Sequence, residues 1–426
     1  MALSVDLEFR GLVHQVTDRV VLKKLDEDRL TAYIGFDPTA DSLHVGSLLQ
    51  MCNLRRLQQA GHRPIALAGG GTGMIGDPGG KSEERNLLSA DTLAANVAGI
   101  RVQLERFLDF SAGAGASRAL ILDNSAWLGD LALVEFLRDV GKHFTVNQMV
   151  AKESVRARFD RPEQGISYTE FSYMLLQAYD FQQLFDAHDC RLQLGGSDQW
   201  GNITMGIELV RKTRQSEVYG LTSPLLLQAD GTKFGKTESG TVWLDAGRTS
   251  PYQLYQYFLR TEDATVGTVL RMLTFLDHDT ITALDADTAA HPEQRRAQRA
   301  LAHEVCALVH GQAEAVRAEA AARALYSEEI TTLDEQTLLD VCADAPTSTV
   351  TRGALDPGLG LVDALVTAGL VPSKGRARTT ITQGGVYVNN RRVDDPAAHL
   401  RPEDLLFGRY LILRRGQRDY HLLRFE

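Results

Sequence analysis

The chain is poor in the residues that would mark a secreted, metal-stapled or membrane protein. It has four cysteines in 426 residues, Cys52, Cys190, Cys306 and Cys342. No two stand at CxxC spacing, so neither a zinc knuckle nor a redox pair is encoded. They read as reduced, mostly buried thiols. No run of 18 apolar residues exists, which excludes a spanning helix. The first residues, MALSVDLEFRGLVHQ, place acids early and no apolar block after a basic one. They predict no signal or transit peptide, and a cytoplasmic location. Glycine and proline are not in excess, and neither an internal repeat nor a low-complexity tract is evident.

What is present is an ordinary globular composition, 44% hydrophobic and 23% charged. Its length allows two or three domains. The net charge of −10 excludes a protein that coats nucleic acid over its whole surface. The charge is unevenly spread. From Leu355 onward eleven Lys/Arg face eight Asp/Glu, so the excess of acid lies upstream. Chance variation or a polyanion partner at the C-terminal end both fit this.

The first half alternates β-rich runs with amphipathic ones. TAYIGF (31–36), PIALAGG (64–70), ALILDN (119–124) and RLQLGG (191–196) read as strands. Helical spacing covers 44–61, roughly 87–110, and the stretch through NITMGIELVRK. Strand–helix alternation predicts an α/β Rossmann-like parallel sheet, with ligands at the carboxyl ends of its strands. From 250 to 344 the pattern becomes helical. Residues 345–360, rich in Thr, Gly and Pro, read as a linker. A small mixed module fills 361–426. The expected division is therefore 1–249 catalytic, 250–344 α-helical, a linker, and 361–426.

Five segments carry candidate chemistry. In YIGFDPTADSLHVGSL (33–48) a strand turns at Asp37-Pro38-Thr39, and a helix begins near His44 and Gly46. A helix N-terminus suits phosphate, although His44 could equally be a cap. KFGKTESG (233–240) offers Lys233 and Lys236, able to neutralise a triphosphate or merely to solvate a turn. GGGTGMIGDPGGKSEER (69–85) lacks P-loop order but brings Asp77, Lys81 and Arg85. In ISYTEFSYMLLQAYDF (166–181), Tyr173, Gln177 and Asp180 share one helix face. They fit a small ligand with an ammonium and a hydroxyl, or a buried polar network. In LQLGGSDQWGN (192–202), Asp198 could hold ribose hydroxyls or cap a helix.

In this order these segments closely resemble the bacterial tyrosyl-tRNA synthetases of class I, over essentially the whole chain. HVGS is similar to that family's HIGH signature and KFGKT to its KMSKS signature. YTEFSYMLLQAYDF and GGSDQWGN are more specific to the tyrosine enzymes. The C-terminal LVDALVTAGLVPSKGRARTTITQGGVYVNNRRV resembles their small αL-type α+β RNA-binding domain. The resemblance implies a tyrosine–tRNA ligase that uses L-tyrosine, ATP with Mg²⁺ and tRNA(Tyr). It implies no tightly bound protein metal, and a homodimer with its interface near 131–155.

Carried over residue by residue, the resemblance implies that Tyr33 and Asp180 hold the substrate phenol. Tyr173, Gln177 and Asp77 hold the ammonium, and Asn124 and Gln199 orient the amino acid. Thr39 and His44 meet the γ-phosphate. Gly35, Asp37, Gly46, Ser47, Gly196 and Asp198 form the ATP side, with Lys236. Lys81, Arg85, Lys233, Lys236 and Thr237 clamp pyrophosphate. Arg211 and Lys212 meet the tRNA acceptor end. Lys374, Arg376, Arg378, Arg391 and Arg392 form a phosphate-contact strip.

One position departs from the family pattern: Ser47 stands where a second histidine is usual, which puts adenosine contacts in question. A regulator that has lost catalysis, a nucleotidyltransferase without tRNA and a tryptophan enzyme are the rival expectations. The Tyr33/Asp180 pair fits a phenol better than an indole.

Overall fold

The structure, a computed structural model, describes residues 1–77, 88–152, 155–156, 165–228, 231–232, 234–237, 240–324, 327–343, 345–356, 358–416 and 419–426. Lys81, Arg85 and Lys233 lie outside the described residues, as do the side chains of Lys236 and Thr237. The chain divides into two units. The first is 1–249 with 261–301, and the second is 250–260 with 302–426.

The first unit is built on a six-stranded sheet. Its strands are β1 (Gln15–Val16), β2 (Thr31–Phe36), β3 (Arg63–Ala68), β4 (Leu120–Asp123), β5 (Cys190–Gly196) and β6 (Tyr219–Ser223). Their spatial order is β1-β6-β5-β2-β3-β4. All neighbours are parallel except β1 with β6. β3, β5 and β6 are buried almost throughout, since a parallel sheet is covered on both faces. The order reverses between β2 and β5, so the switch point lies at the carboxyl ends of those two strands.

Four helices carry the residues of interest: α1 (Val45–Gln59), α2 (Ala90–Phe107), α3 (Tyr168–His188) and α4 (Trp200–Arg214). Ser89 caps α2 and Ser167 caps α3, each accepting an amide N–H of the first turn. Gly206 lets α4 pack tightly on α3, because a Cβ there would stand 2.9 Å from the Phe181 ring. Among the described residues no helix is long and apolar enough to cross a membrane.

Two buried arginines tie the segment after 260 to this unit. Arg56, on α1, donates to the carbonyls of Met272 and Thr274 at 2.8 and 2.9 Å. Arg10 donates to Thr274 and Leu276 at 3.0 and 2.7 Å. These carbonyls lie in the last turn of the helix Asp263–Leu273 or just after it, where C=O groups have no intrahelical partner. Burial pushes the Arg56 guanidinium down to about 10, so it keeps its charge at neutral pH.

The second unit contains a five-stranded sheet: β7 (Thr347–Val350), β8 (Val386–Val388), β9 (Arg391–Val393), β10 (Tyr410–Arg415) and β11 (Asp419–Phe425). The order is β9-β8-β10-β11-β7, and β7 joins β11 in parallel. Two borders therefore differ from the sequence expectation. The segment expected as the linker 345–360 supplies an edge strand, because three of the four residues Thr347-Ser348-Thr349-Val350 are β-branched and pair where Thr-rich composition alone suggests a loop. The helical region 250–344 is also not one body, since 261–301 clusters with the sheet domain. Asn389 and Asn390, both at positive φ, turn the β8–β9 hairpin.

All three tryptophans, Trp127, Trp200 and Trp243, lie in the first unit, so their fluorescence reports its unfolding alone. Arg56→Ala is expected to lower the urea-unfolding free energy read this way by about 3 kcal/mol, because two buried carbonyls lose charged donors. A change below ~0.5 kcal/mol, the range of ordinary surface substitutions, would refute the clamp.

Candidate active site

The strand ends at the switch point open the site. Gly35, near the carboxyl end of β2, is exposed although its strand is central, and a Cβ there would meet nothing within 4 Å. Gly195 and Gly196 end β5. A Cβ on Gly195 would lie 3.0 Å from Gln199 Cβ, and one on Gly196 2.6 Å from Asp198 Oδ1. Glycine is thus what allows the turn Ser197–Gln199 to fold back over the strand end.

Beneath lies the pair expected to face the phenol. Tyr33 is 1% and Asp180 2% exposed. The Tyr33 hydroxyl is buried and has no hydrogen-bond partner among the described residues. Asp180 Oδ1 accepts from Trp127 Nε1 at 2.7 Å, and Oδ2 accepts from Asn124 Nδ2 at 3.0 Å. Burial pushes the Asp180 carboxyl up to about 7, although these two donors pull it back. Burial, then the Asp180 charge, raises the Tyr33 phenol well above its ordinary value.

Asn124 also ties this pair to the glycine-rich turn after β3. Its Oδ1 accepts from Gly71 N at 2.7 Å, and its Nδ2 donates to Thr72 Oγ1 at 3.0 Å. A single amide thus fixes the turn and the carboxylate together. Sequence reading placed Asn124 in the site but missed Trp127 and Thr72. The proximity of Trp127 to Asn124 in the chain was the only available signal.

The residues expected at an ammonium group form a second network. Asn202 Nδ2 donates to Gln177 Oε1 at 3.0 Å, Gln177 Nε2 to Gln199 Oε1 at 3.3 Å, and Gln199 Nε2 to Asp77 Oδ2 at 2.7 Å. The Tyr173 hydroxyl donates instead to Asp37 Oδ1 at 3.1 Å. Asp37, expected on the ATP side, therefore has its carboxylate on the amino-acid side. Burial, then Asp37, Asp77 and Asp180, raises the Tyr173 phenol. Three carboxylates sensed by one phenol make a field that favours a cation.

The phosphate side starts at His44, the residue before α1. This residue holds the N-cap position of that helix, and its side chain makes no capping hydrogen bond there. Its ring lies edge-on to Trp243, with centroids 6.2 Å apart, and its backbone bridges to the same residue. Arg248 lies 4.7 Å over the Trp243 ring and pairs with Asp41. A Cβ on Gly46 would stand 2.8 Å from the His44 ring, so glycine there leaves the imidazole its place. A Cβ on Gly235, within KFGKT, would stand 3.1 Å from Gly46 N. The two motifs thus meet backbone to backbone.

Thr39 is exposed and Ser47 half-buried on the first turn of α1. One turn along, Gln50 Nε2 donates to Ser223 Oγ at 3.1 Å, and Ser223 Oγ donates to the Gly195 carbonyl at 3.4 Å. Lys236–Thr237 forms a short ladder with Gly240–Thr241. Trp243, Arg248 and Gln50 were not singled out from sequence.

The expected tRNA contacts are partly self-paired. Arg211 and Lys212, at the end of α4, both hold Glu208, at 2.8 and 3.0 Å, and pull its carboxyl down to about 2. In the second unit Lys374 pairs with Asp363 and Arg391 with Glu328. Arg376, Arg378 and Arg392 are exposed, with no carboxylate partner among the described residues.

Two stability effects follow. Tyr33→Phe removes a buried, unpartnered hydroxyl and is expected to stabilise the ligand-free first unit by about 1 kcal/mol in urea unfolding; a loss of that size would show that the hydroxyl is satisfied. Asp180 has a folded-state pKa raised from 3.8 to about 7. Its favourable contribution is therefore complete below pH 3.8 and is lost as pH rises through 7. Relative to wild type, Asp180→Asn is expected to gain stability between those limits and level off above them. A flat difference over that range would contradict the raised value.

Comparison with known proteins agrees with this geometry. Residues 25–327 match the family model for class I tRNA synthetases (W and Y), and 338–423 match the tyrosine–tRNA ligase C-terminal domain. The tyrosine–tRNA ligase of Roseiflexus castenholzii is 52% identical, covering 98% of each chain. That of Geobacillus kaustophilus is 52% identical over the full length of both. Among solved structures, a C-terminally truncated mitochondrial tyrosyl-tRNA synthetase of Aspergillus nidulans superposes with TM-score 0.68 at 33% identity, over 76% of this chain and 94% of its own. The chain belongs to the tyrosine–tRNA ligase family of class I tRNA synthetases.

Proposed function

We infer that the chain activates L-tyrosine with ATP and passes the tyrosyl group to the 3′-terminal ribose of tRNA(Tyr). The observation that carries the choice of amino acid is the buried Tyr33 hydroxyl beside the Asp180 carboxylate. A substrate phenol there donates to Asp180 and accepts from Tyr33. Phenylalanine leaves the Tyr33 hydroxyl buried and unmet and gives the buried Asp180 carboxylate no further donor, which is how the site rejects it. The ammonium lies in the field of Asp37, Asp77 and Asp180, ordered by Gln177, Gln199 and Tyr173.

In the first step a tyrosine carboxylate oxygen forms a bond to the α-phosphorus of ATP. The bond from that phosphorus to the bridging oxygen breaks, and pyrophosphate leaves with the electron pair. ATP enters with Mg²⁺ held by its phosphates and water. Thr39 and His44 contact the γ-phosphate, and Gly46 and Ser47 the adenosine. Gly35 leaves room above β2, while Gly196 and Asp198 take the ribose. Lys81, Arg85, Lys233, Lys236 and Thr237 neutralise the leaving pyrophosphate. In the second step a ribose hydroxyl attacks the tyrosyl carbonyl, and AMP departs. No side chain acts as nucleophile; the protein aligns the reactants and stabilises charge.

Arg211 and Lys212 serve the acceptor end, and Lys374, Arg376, Arg378, Arg391 and Arg392 the RNA backbone. The reading includes cytoplasmic work as a homodimer. Leu133 and Val134, 69% and 75% exposed, with Leu137 and Val146 also outward, support an interface between copies near 131–155.

ATP–pyrophosphate exchange, assayed with each proteinogenic amino acid, is expected with tyrosine alone. Asp180→Ala is expected to abolish it, and near-normal tyrosine-dependent exchange in that variant would sink the assignment. For the dimer, Val134→Asp is expected to halve the mass seen by ultracentrifugation. A wild-type monomer at every concentration would refute that interface.

A further inference from the structure

The first unit has a second cleft at the other end of its sheet. Its volume is about 450 Å³, within the range of small-molecule sites. It is lined where β2 and β3 begin, where α3 hands over to β5, and by the loop ahead of β4. Four arginines line it, Arg29, Arg63, Arg118 and Arg191, together with His188. A single carboxylate, Asp189, joins them, and Arg191 holds it at 2.8 Å. Arg118 donates to the Phe110 carbonyl at 2.7 Å. Among the described residues, Arg29, Arg63 and Arg118 have no carboxylate partner.

This concentration of charge runs against the chain, whose net charge is −10. The helix dipole does not account for it. The end of α3 at His188 presents only about half an elementary negative charge, and the neighbouring Arg191 suffices to answer that. Burial, then the Arg63 charge, holds the His188 imidazole below its ordinary pKa, as expected in a cationic cleft. Planar guanidiniums recognise phosphate oxygens two at a time, so several converging on one cleft favour clustered phosphates over a single anion. No Phe, Tyr or Trp ring lines the cleft, so positive charge is its main recognition element.

We propose that this cleft is a second binding site, separate from the catalytic strand ends, for a compact ligand of clustered phosphate groups without a nucleobase. Its source is either a short inorganic polyphosphate or a multiply phosphorylated polyol. Calorimetric titration of the full-length protein with tripolyphosphate and, separately, with inositol hexakisphosphate tests this and tells the two apart. The titrations are repeated on Arg29→Ala/Arg63→Ala and on His44→Ala, which alters the ATP side instead.

Wild type and His44→Ala are expected to bind the preferred ligand alike. The double variant should bind about a hundredfold more weakly, tenfold for each lost charged donor. Its tyrosine-dependent exchange should be unchanged. If the double variant fails to fold, exposed Arg118→Ala, with an expected tenfold loss, replaces it. Unaltered binding in the arginine variants, loss of binding in His44→Ala, or no binding of either ligand at millimolar concentration overturns the proposal.

Discussion

The site depends on keeping a carboxylate inside the protein. Asp180 is nearly inaccessible, and an ion there loses its hydration without gaining a basic partner. Two neutral donors, Trp127 Nε1 and Asn124 Nδ2, replace part of that hydration. They leave the carboxyl near 7 instead of restoring its usual value. The surrounding structure is arranged to hold those donors. Asn124 directly follows β4, and its amide is fixed by Gly71 and Thr72 of the turn after β3. The sheet register between β3 and β4 therefore sets the geometry of the ion. Specificity and instability share one origin: the groups that reward a phenol are those that burden the empty protein.

The other half of the site is controlled by backbone proximity. The switch point between β2 and β5 lets two strand ends diverge, and glycine keeps both clear. Gly46 leaves the His44 ring its place, and Gly235 brings the KFGKT segment against the start of α1. His44 then lies edge-on to Trp243, which is covered by Arg248, itself paired with Asp41. A histidine at a helix start is ordinarily free to turn. Here its orientation is tied to the segment that follows the second motif, so the two motifs are positioned by each other.

Much of this was legible in the sequence because it is periodic or local. TAYIGF, the α1 start at His44, and the Tyr173–Gln177–Asp180 face appear where spacing put them. Tyr173 pairing with Asp37 was not legible, because 136 residues separate them and no local rule links a helix face to a strand-end turn. Trp243 gave no local signal of its place at the site, and Trp127 none beyond its nearness to Asn124. The edge strand Thr347–Val350 was missed because its partner lies at the far end of the chain and its composition imitates a loop. The cationic cleft was invisible for the same reason: its arginines are scattered from 29 to 191 and meet only when the sheet forms.

The two substrates impose opposite electrostatic demands on neighbouring strand ends. Three carboxylates, Asp37, Asp77 and Asp180, act together on the amino-acid side, as the raised Tyr173 phenol records. A triphosphate brought beside them is repelled, and at low effective dielectric that repulsion reaches kcal/mol size. Tyrosine reduces it, because its ammonium neutralises one carboxylate and its phenol shields another. The N-terminus of α1, against which Gly235 lies, offers the opposite polarity to a phosphate. With tyrosine in this acidic pocket, as proposed, a nucleotide beside it meets less repulsion, which directs its binding energy toward the complex that can react.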